Sequence, residues 1–164
     1  MKNRGFLCVG IFHNKFECNL GGLMRSALCF GAAYVFTIGR RYKPTAADTV
    51  GAINQLPVFH YLTLDDATNH LPIGCQLVGV ELADNAESLH NFTHPYKSCL
   101  LLGAEDHGLP QKVLERCHRV VQIPGLKHCL NVATAGSLVM YDRQLKEYQR
   151  QKAYGPKEVT CLAA

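Results

Sequence analysis

The 8 cysteines of this 164-residue chain include no CxxC pair, and its 8 histidines fall at no zinc-ligand spacing. Cys8, Cys18, Cys29, Cys75, Cys99, Cys117, Cys129 and Cys161 mostly sit inside apolar runs. That placement suits reduced thiols in a cytoplasmic protein better than a disulfide framework. His107, His118 and His128 are near one another without a ligand pattern, so no metal is expected. No apolar run approaches the roughly 20 residues needed to cross a bilayer, which argues against a membrane protein. The start, MKNRGFLCVGIF, lacks a convincing signal-peptide cleavage region. GxGxxG after the first strand and GxxxxGK[ST] are both missing, which removes the usual signals for a dinucleotide or triphosphate site. Internal repeats and low-complexity linkers are missing too.

What is present is an ordinary globular balance, with 48% hydrophobic and 18% charged residues. The length fits one domain with a real core. The net charge of +4 permits a polyanionic partner without demanding one. Apolar runs and helical periodicities alternate. Strands are expected at about residues 6–12, 33–39, 58–61, 76–82, 98–104 and 119–123. Helices are expected at about 20–31, 65–70, 110–117 and 130–151. Leu20, Leu23, Met24, Ala27 and Leu28 make one stripe at helical spacing. Asn19 stands where an N-cap belongs. Leu138, Tyr141, Leu145 and Tyr148 share a face of the last helix, and Arg143, Lys146 and Arg150 are expected on its solvated side. Near-continuous apolar strands in such alternation imply an α/β fold, a mostly parallel sheet flanked by helices. The domain is expected over residues 1–152, with 153–164 as a flexible tail.

In parallel sheets, ligands bind outside the carboxyl ends of the strands. Three stretches stand at or near such ends: NLGGLMR at 19–25, LLLGAEDHGLP at 100–110, and IPG followed by LNVATAG within 123–136. In order and separation they resemble the motifs of the SpoU (TrmH-like) family of RNA ribose methyltransferases, within the SPOUT superfamily. The resemblance spans about residues 6–148. It departs from the family pattern at Cys129, often serine, at Gly125, often methionine, and in a loop after Ile123-Pro124 about two residues shorter than in many relatives.

The resemblance implies a C-terminal deep trefoil knot, a homodimer and S-adenosylmethionine as cofactor. It implies methylation of a ribose 2′-hydroxyl in tRNA or rRNA, with RNA as partner. Its implied catalytic residues are Asn19, Arg25, Glu105 and Asn131. Leu82, Gly103, Ile123, Cys129 and Leu130 are the implied cofactor-binding residues. Arg40, Arg41 and Lys43, just after a strand, suit phosphate contacts. Arginine is a poor literal base, so Arg25 is expected to orient the ribose and stabilise developing alkoxide. Gly21 and Gly22 are expected to leave a bare floor beside it for a nucleotide. Each polar residue also has a plain structural use: Asn131 and Asn19 as helix caps, Glu105 as a loop acid, the cations as solvated charges. Two other classes stay open. One is a non-catalytic RNA-binding dimer on the same scaffold. The other is a cysteine-dependent RNA base methyltransferase with Cys129 as nucleophile.

Overall fold

The computed structural model describes residues 5–13, 16–41, 51–104, 106–125 and 128–154. Chain order is β1 (Phe6–Phe12), α1 (Glu17–Cys29), β2 (Tyr34–Ile38), a 3-10 turn (Ala52–Asn54), β3 (Val58–Tyr61) and α2 (Leu64–Asn69). Then come β4 (Gln76–Val80), β5 (Glu87–Ser88), β6 (Lys97–Leu102), α3 (Gln111–Leu114), β7 (Arg119–Gln122) and α4 (Val132–Tyr154). The strands form one sheet in the order β3-β2-β1-β6-β4-β7-β5. Every pair is parallel, including Cys8 beside Cys99 and Val80 beside Val121.

Alternation along β1 explains the three layers. Leu7, Val9 and Ile11 point to one face, where they pack with Leu20, Leu23 and Met24 of α1 and Val139 and Met140 of α4. Cys8 points to the other face, with Phe36, Leu64 of α2 and Val113 of α3. Both faces are buried, so the strands read as apolar runs rather than alternating ones. Gly10 makes room on the second face, because a Cβ there would lie 2.3 Å from the Phe36 ring.

The expected strands all form. Two small elements were not expected: the 3-10 turn, and β5, whose two residues, Glu87 and Ser88, carry no apolar signal. The helix starts differ more. α1 begins at Glu17, with Phe16 in the cap position and no side-chain cap, so Asn19 is inside the first turn rather than capping it.

Helix α4 corrects a second expectation. Arg143 is 8% exposed and donates to the carbonyls of Phe6 and Tyr96 at 3.4 and 3.2 Å. Lys146 donates to the Phe92 carbonyl at 3.0 Å and pairs with Asp142 at 2.8 Å. Only Arg150 of the three stays on the surface, paired with Glu147. The face carrying Leu138, Tyr141, Leu145 and Tyr148 is the one left exposed. The reason is reach: the long cationic side chains of Arg143 and Lys146 donate to the Phe6, Tyr96 and Phe92 carbonyls, which no apolar side chain could do.

Position of the C-terminal segment follows from strand order. β7 lies between β4 and β5, so the connection 81–86 must span the end of β7. Glu81 N donates to Val121 O at 3.0 Å and Leu89 N to Gln122 O at 2.8 Å, on either side of that crossing. The chain leaves β7 at this crossing and reaches α4, which packs on α1.

Candidate active site

A cavity of about 330 Å³ opens at the carboxyl ends of β4, β6 and β7. All five expected cofactor residues, Leu82, Gly103, Ile123, Cys129 and Leu130, line it. They come from three strand ends and from the stretch before α4, segments brought together only by the sheet order. Val80, Leu102, Val132 and Ala135 add an apolar floor.

The wall between β6 and α3 is built on close backbone approach. A Cβ on Gly103 would lie 2.1 Å from the Gly108 carbonyl carbon, so no side chain fits there. Gly108 N donates to Ala104 O at 2.9 Å, which brings Gly108 back beside the end of β6. Gly108 takes a φ of 60°, and a Cβ on it would strike the Glu81 carboxylate at 2.3 Å. Glu81 is a functional candidate that the sequence reading missed. Its carboxylate accepts from Leu109 N at 2.6 Å and from Leu82 N at 3.0 Å. One side chain thus ties the β4 end to the turn after β6, and both walls keep their spacing. The available signal was an acid closing an apolar strand, VGVEL, at a carboxyl end.

Asn131 serves two purposes at once. Its Oδ1 accepts from Ala133 N at 2.9 Å and Thr134 N at 3.3 Å, which caps α4. Its Nδ2 donates to Asn19 Oδ1 at 2.7 Å, joining α4 to α1. Asn19 is 8% exposed, so this bond occupies a buried acceptor. The helices can come this close because small residues face each other. A Cβ on Gly22 would lie 3.2 Å from that of Ala133, and Ser26 Oγ is 2.7 Å from Ser137 Oγ. Gly136 makes room for Leu23, since a Cβ there would come within 2.4 Å of a Leu23 methyl. The bare floor expected at Gly21 and Gly22 is therefore covered: Gly21 is buried and Gly22 packs on α4.

Arg25 is exposed on α1 and does not line the cavity. Arg40 and Arg41 are exposed just beyond β2, at the same end of the sheet. Arg40 lines an adjoining open groove of about 600 Å³. Glu105 and Lys43 lie outside the described residues. The seven described cysteines are free. Cys129 is exposed at the cavity wall, whereas burial pushes the Cys117 thiol up to about 11 and keeps it protonated.

Sequence and fold comparisons identify the family. Residues 7–141 match the model of the SpoU rRNA Methylase family. The chain belongs to that family. Among curated SpoU-related proteins, the tRNA (guanosine(18)-2'-O)-methyltransferase of Escherichia coli K12 is 30% identical over 140 residues, 82% of this chain and 60% of the relative. The chain therefore spans about 60% of that relative's length. The SpoU methyltransferase AviRb from Streptomyces viridochromogenes, solved with AdoMet, superposes with a TM-score of 0.78. It is 22% identical over 87% of this chain and 58% of its own, so it speaks to fold. The A. aeolicus TrmH/SpoU tRNA modifying enzyme gives a TM-score of 0.79 at 19% identity, covering 92% of this chain and 78% of its own.

Proposed function

We propose that this chain transfers a methyl group from S-adenosylmethionine to a ribose 2′-hydroxyl of tRNA or rRNA. The observation that carries the proposal is the convergence of Leu82, Gly103, Ile123, Cys129 and Leu130 on one cavity. The donor set fits such a cofactor. Gly103 lets the Gly108 backbone close tightly beside it as the cavity wall, and Val80, Leu102, Val132 and Ala135 offer apolar contact for an adenine. Bound there, the cofactor supplies a methyl already activated on a sulfonium. The protein's own work is alignment, electrostatics and proton removal. Asn131 and Asn19 hold the approach to the cavity in one geometry. Arg25 and Glu105 complete the site in this reading, with Arg25 orienting the ribose and stabilising the oxygen as it loses its proton. Arg40, Arg41 and Lys43 hold phosphates.

The same reading includes a trefoil knot at the crossing of residues 81–86 over the end of β7, and a cytoplasmic homodimer. Support for the dimer is the exposed stripe Leu138, Tyr141, Leu145 and Tyr148 on α4, with Tyr141 edge-on to Phe30 at 6.4 Å. Among the described residues no helix is long and apolar enough to cross a membrane.

The decisive experiment is mass-spectrometric mapping of ribose methylation in RNA from cells with and without the gene. It is paired with single-turnover transfer by wild-type and Arg25→Ala protein at saturating RNA. The expected result is a 2′-O-methyl mark that needs the gene and a loss of at least ~10²-fold in rate on removing Arg25. An unchanged single-turnover rate removes Arg25 from the mechanism. A trapped RNA adduct on Cys129 would replace ribose methylation with base methylation.

A further inference from the structure

The groove beside the cofactor cavity has features that the methyl-transfer reading does not use. It holds about 600 Å³ and shares Ala104, Asp106, His107 and Gly108 with the cavity, so a ligand in one lies next to a ligand in the other. Its opposite wall is Phe12, His13 and Arg40, at the ends of β1 and β2. His13 is the described non-glycine residue with positive φ, at 52°, a left-handed conformation that β-strand ends do not require. Its amide donates to Ile38 O at 3.0 Å, which fixes that backbone against β2. The imidazole packs edge-on to Phe12 with centroids 4.5 Å apart. It also rests on Gly39, where a Cβ would come within 2.6 Å of the ring. Gly39 itself has a φ of 82°. Two residues thus hold left-handed backbone so that one exposed imidazole lies along the groove wall. A non-glycine residue held at positive φ beside an open groove is a candidate for function.

We infer that this groove takes the acceptor nucleotide of a single-stranded or splayed RNA segment, its base stacked on the Phe12–His13 wall. The ribose then faces the cofactor cavity across the shared residues Ala104, Asp106, His107 and Gly108. Aromatic rings, imidazole included, are how proteins hold unstacked bases, since every base has a π-face. Arg40 on the same wall is placed for the flanking phosphate. His107 stands on the far wall with Asp106, the one acid among the described residues that line the groove, across from the stacking wall. The inference rests on the methyl-transfer reading, and the test separates the two.

The test is binding of short single-stranded oligo(A) and oligo(U), measured at several salt concentrations, by wild-type, His13→Gly, His13→Phe and Arg40→Ala protein. Glycine accepts the left-handed backbone without a Cβ, so His13→Gly should fold at least as stably as wild type. It should bind the oligonucleotides about tenfold more weakly, a typical cost of one lost base stack. The slope of log affinity against log salt should not change. His13→Phe should restore most of the affinity. Arg40→Ala should instead make the slope shallower by about one phosphate contact. The inference is overturned if His13→Gly binds like wild type, if His13→Phe is as weak as His13→Gly, or if the His13→Gly deficit changes the salt slope. Calorimetry with S-adenosylhomocysteine runs alongside and should show equal affinity for all four proteins. Failure of the wild type to bind it sinks the methyl-transfer reading, whatever the oligonucleotides do.

Discussion

Replacing Asn131 should damage the molecule in two separable ways, because its amide makes two kinds of bond. The Oδ1 bonds to Ala133 N and Thr134 N cap α4. Losing a cap of this type costs about 1 kcal/mol. The 2.7 Å bond from Nδ2 to Asn19 Oδ1 joins α4 to a buried acceptor on α1. Its loss should cost a further ~1–2 kcal/mol, since a buried amide oxygen loses its short donor and keeps longer contacts such as Cys18 Sγ at 3.9 Å. Asn131→Ala should therefore destabilise by about 2–3 kcal/mol, or roughly 4–12 °C in Tm for a domain of this size. Asn131→Ser separates the effects: serine still caps, but its hydroxyl is too short to reach Asn19. It should cost only the ~1–2 kcal/mol of the bridge. Urea unfolding would measure each variant, with the midpoint shifting at constant m-value. A double-mutant cycle of Asn19→Ala with Asn131→Ser should return a coupling of about 1 kcal/mol. Equal costs for Asn131→Ala and Asn131→Ser would refute the cap. A coupling under about 0.3 kcal/mol would refute the bridge. Because Leu130 walls the cavity, Asn131→Ala should also weaken S-adenosylhomocysteine binding, read by calorimetry.

Other substitutions probe the rest of the frame. Glu81→Ala leaves the Leu109 and Leu82 amides without their carboxylate; cofactor affinity should drop by roughly tenfold or more, with Glu81→Gln intermediate by calorimetry. Gly103→Ala forces a Cβ against the Gly108 backbone and should cost about 1–3 kcal/mol in urea unfolding while closing the cavity; wild-type cofactor affinity would contradict that. His94, 2.7 Å from Asp142, is held below its ordinary value of 6.5 by burial, which outweighs the pull of Asp142. The unfolded chain then binds the extra proton, so stability should fall as pH drops below about 6.5 towards the folded-state value. His94→Gln should flatten that stretch of the stability–pH curve; an unchanged slope would assign it to other groups. Leu145→Glu puts a charge in the exposed α4 stripe and should convert a dimer to a monomer in light scattering, with the thermal midpoint of the monomer fold retained.

The strand pattern was legible because a sheet buried on both faces forces apolar runs, and FLCVGIF or SCLLLGA can hardly be anything else. Of the five residues proposed for the cofactor, Leu82, Gly103 and Ile123 lie at or beside ends that the rule of carboxyl-terminal crevices already singled out, whereas Cys129 and Leu130 came from the resemblance alone. Helix periodicity also gave the buried stripe of α1. On α4 the same period gave two faces but not which one is covered. The covered face is the one from which Arg143 and Lys146 are long enough to reach the Phe6, Phe92 and Tyr96 carbonyls. Glu81 and His13 were silent for a related reason: an acid after a strand and a histidine before a helix gain meaning only from the backbone opposite them. Asn131 shows the division most plainly. The sequence alone placed an amide at the head of an apolar helix, which is enough to predict a cap. That the same amide also reaches Asn19, over a hundred positions away in the chain, was decided by strand order and by the glycine and alanine that let α1 and α4 touch. Local hydrogen bonding is encoded in neighbouring residues; a bond between distant segments exists only once the packing of the whole sheet has brought them together.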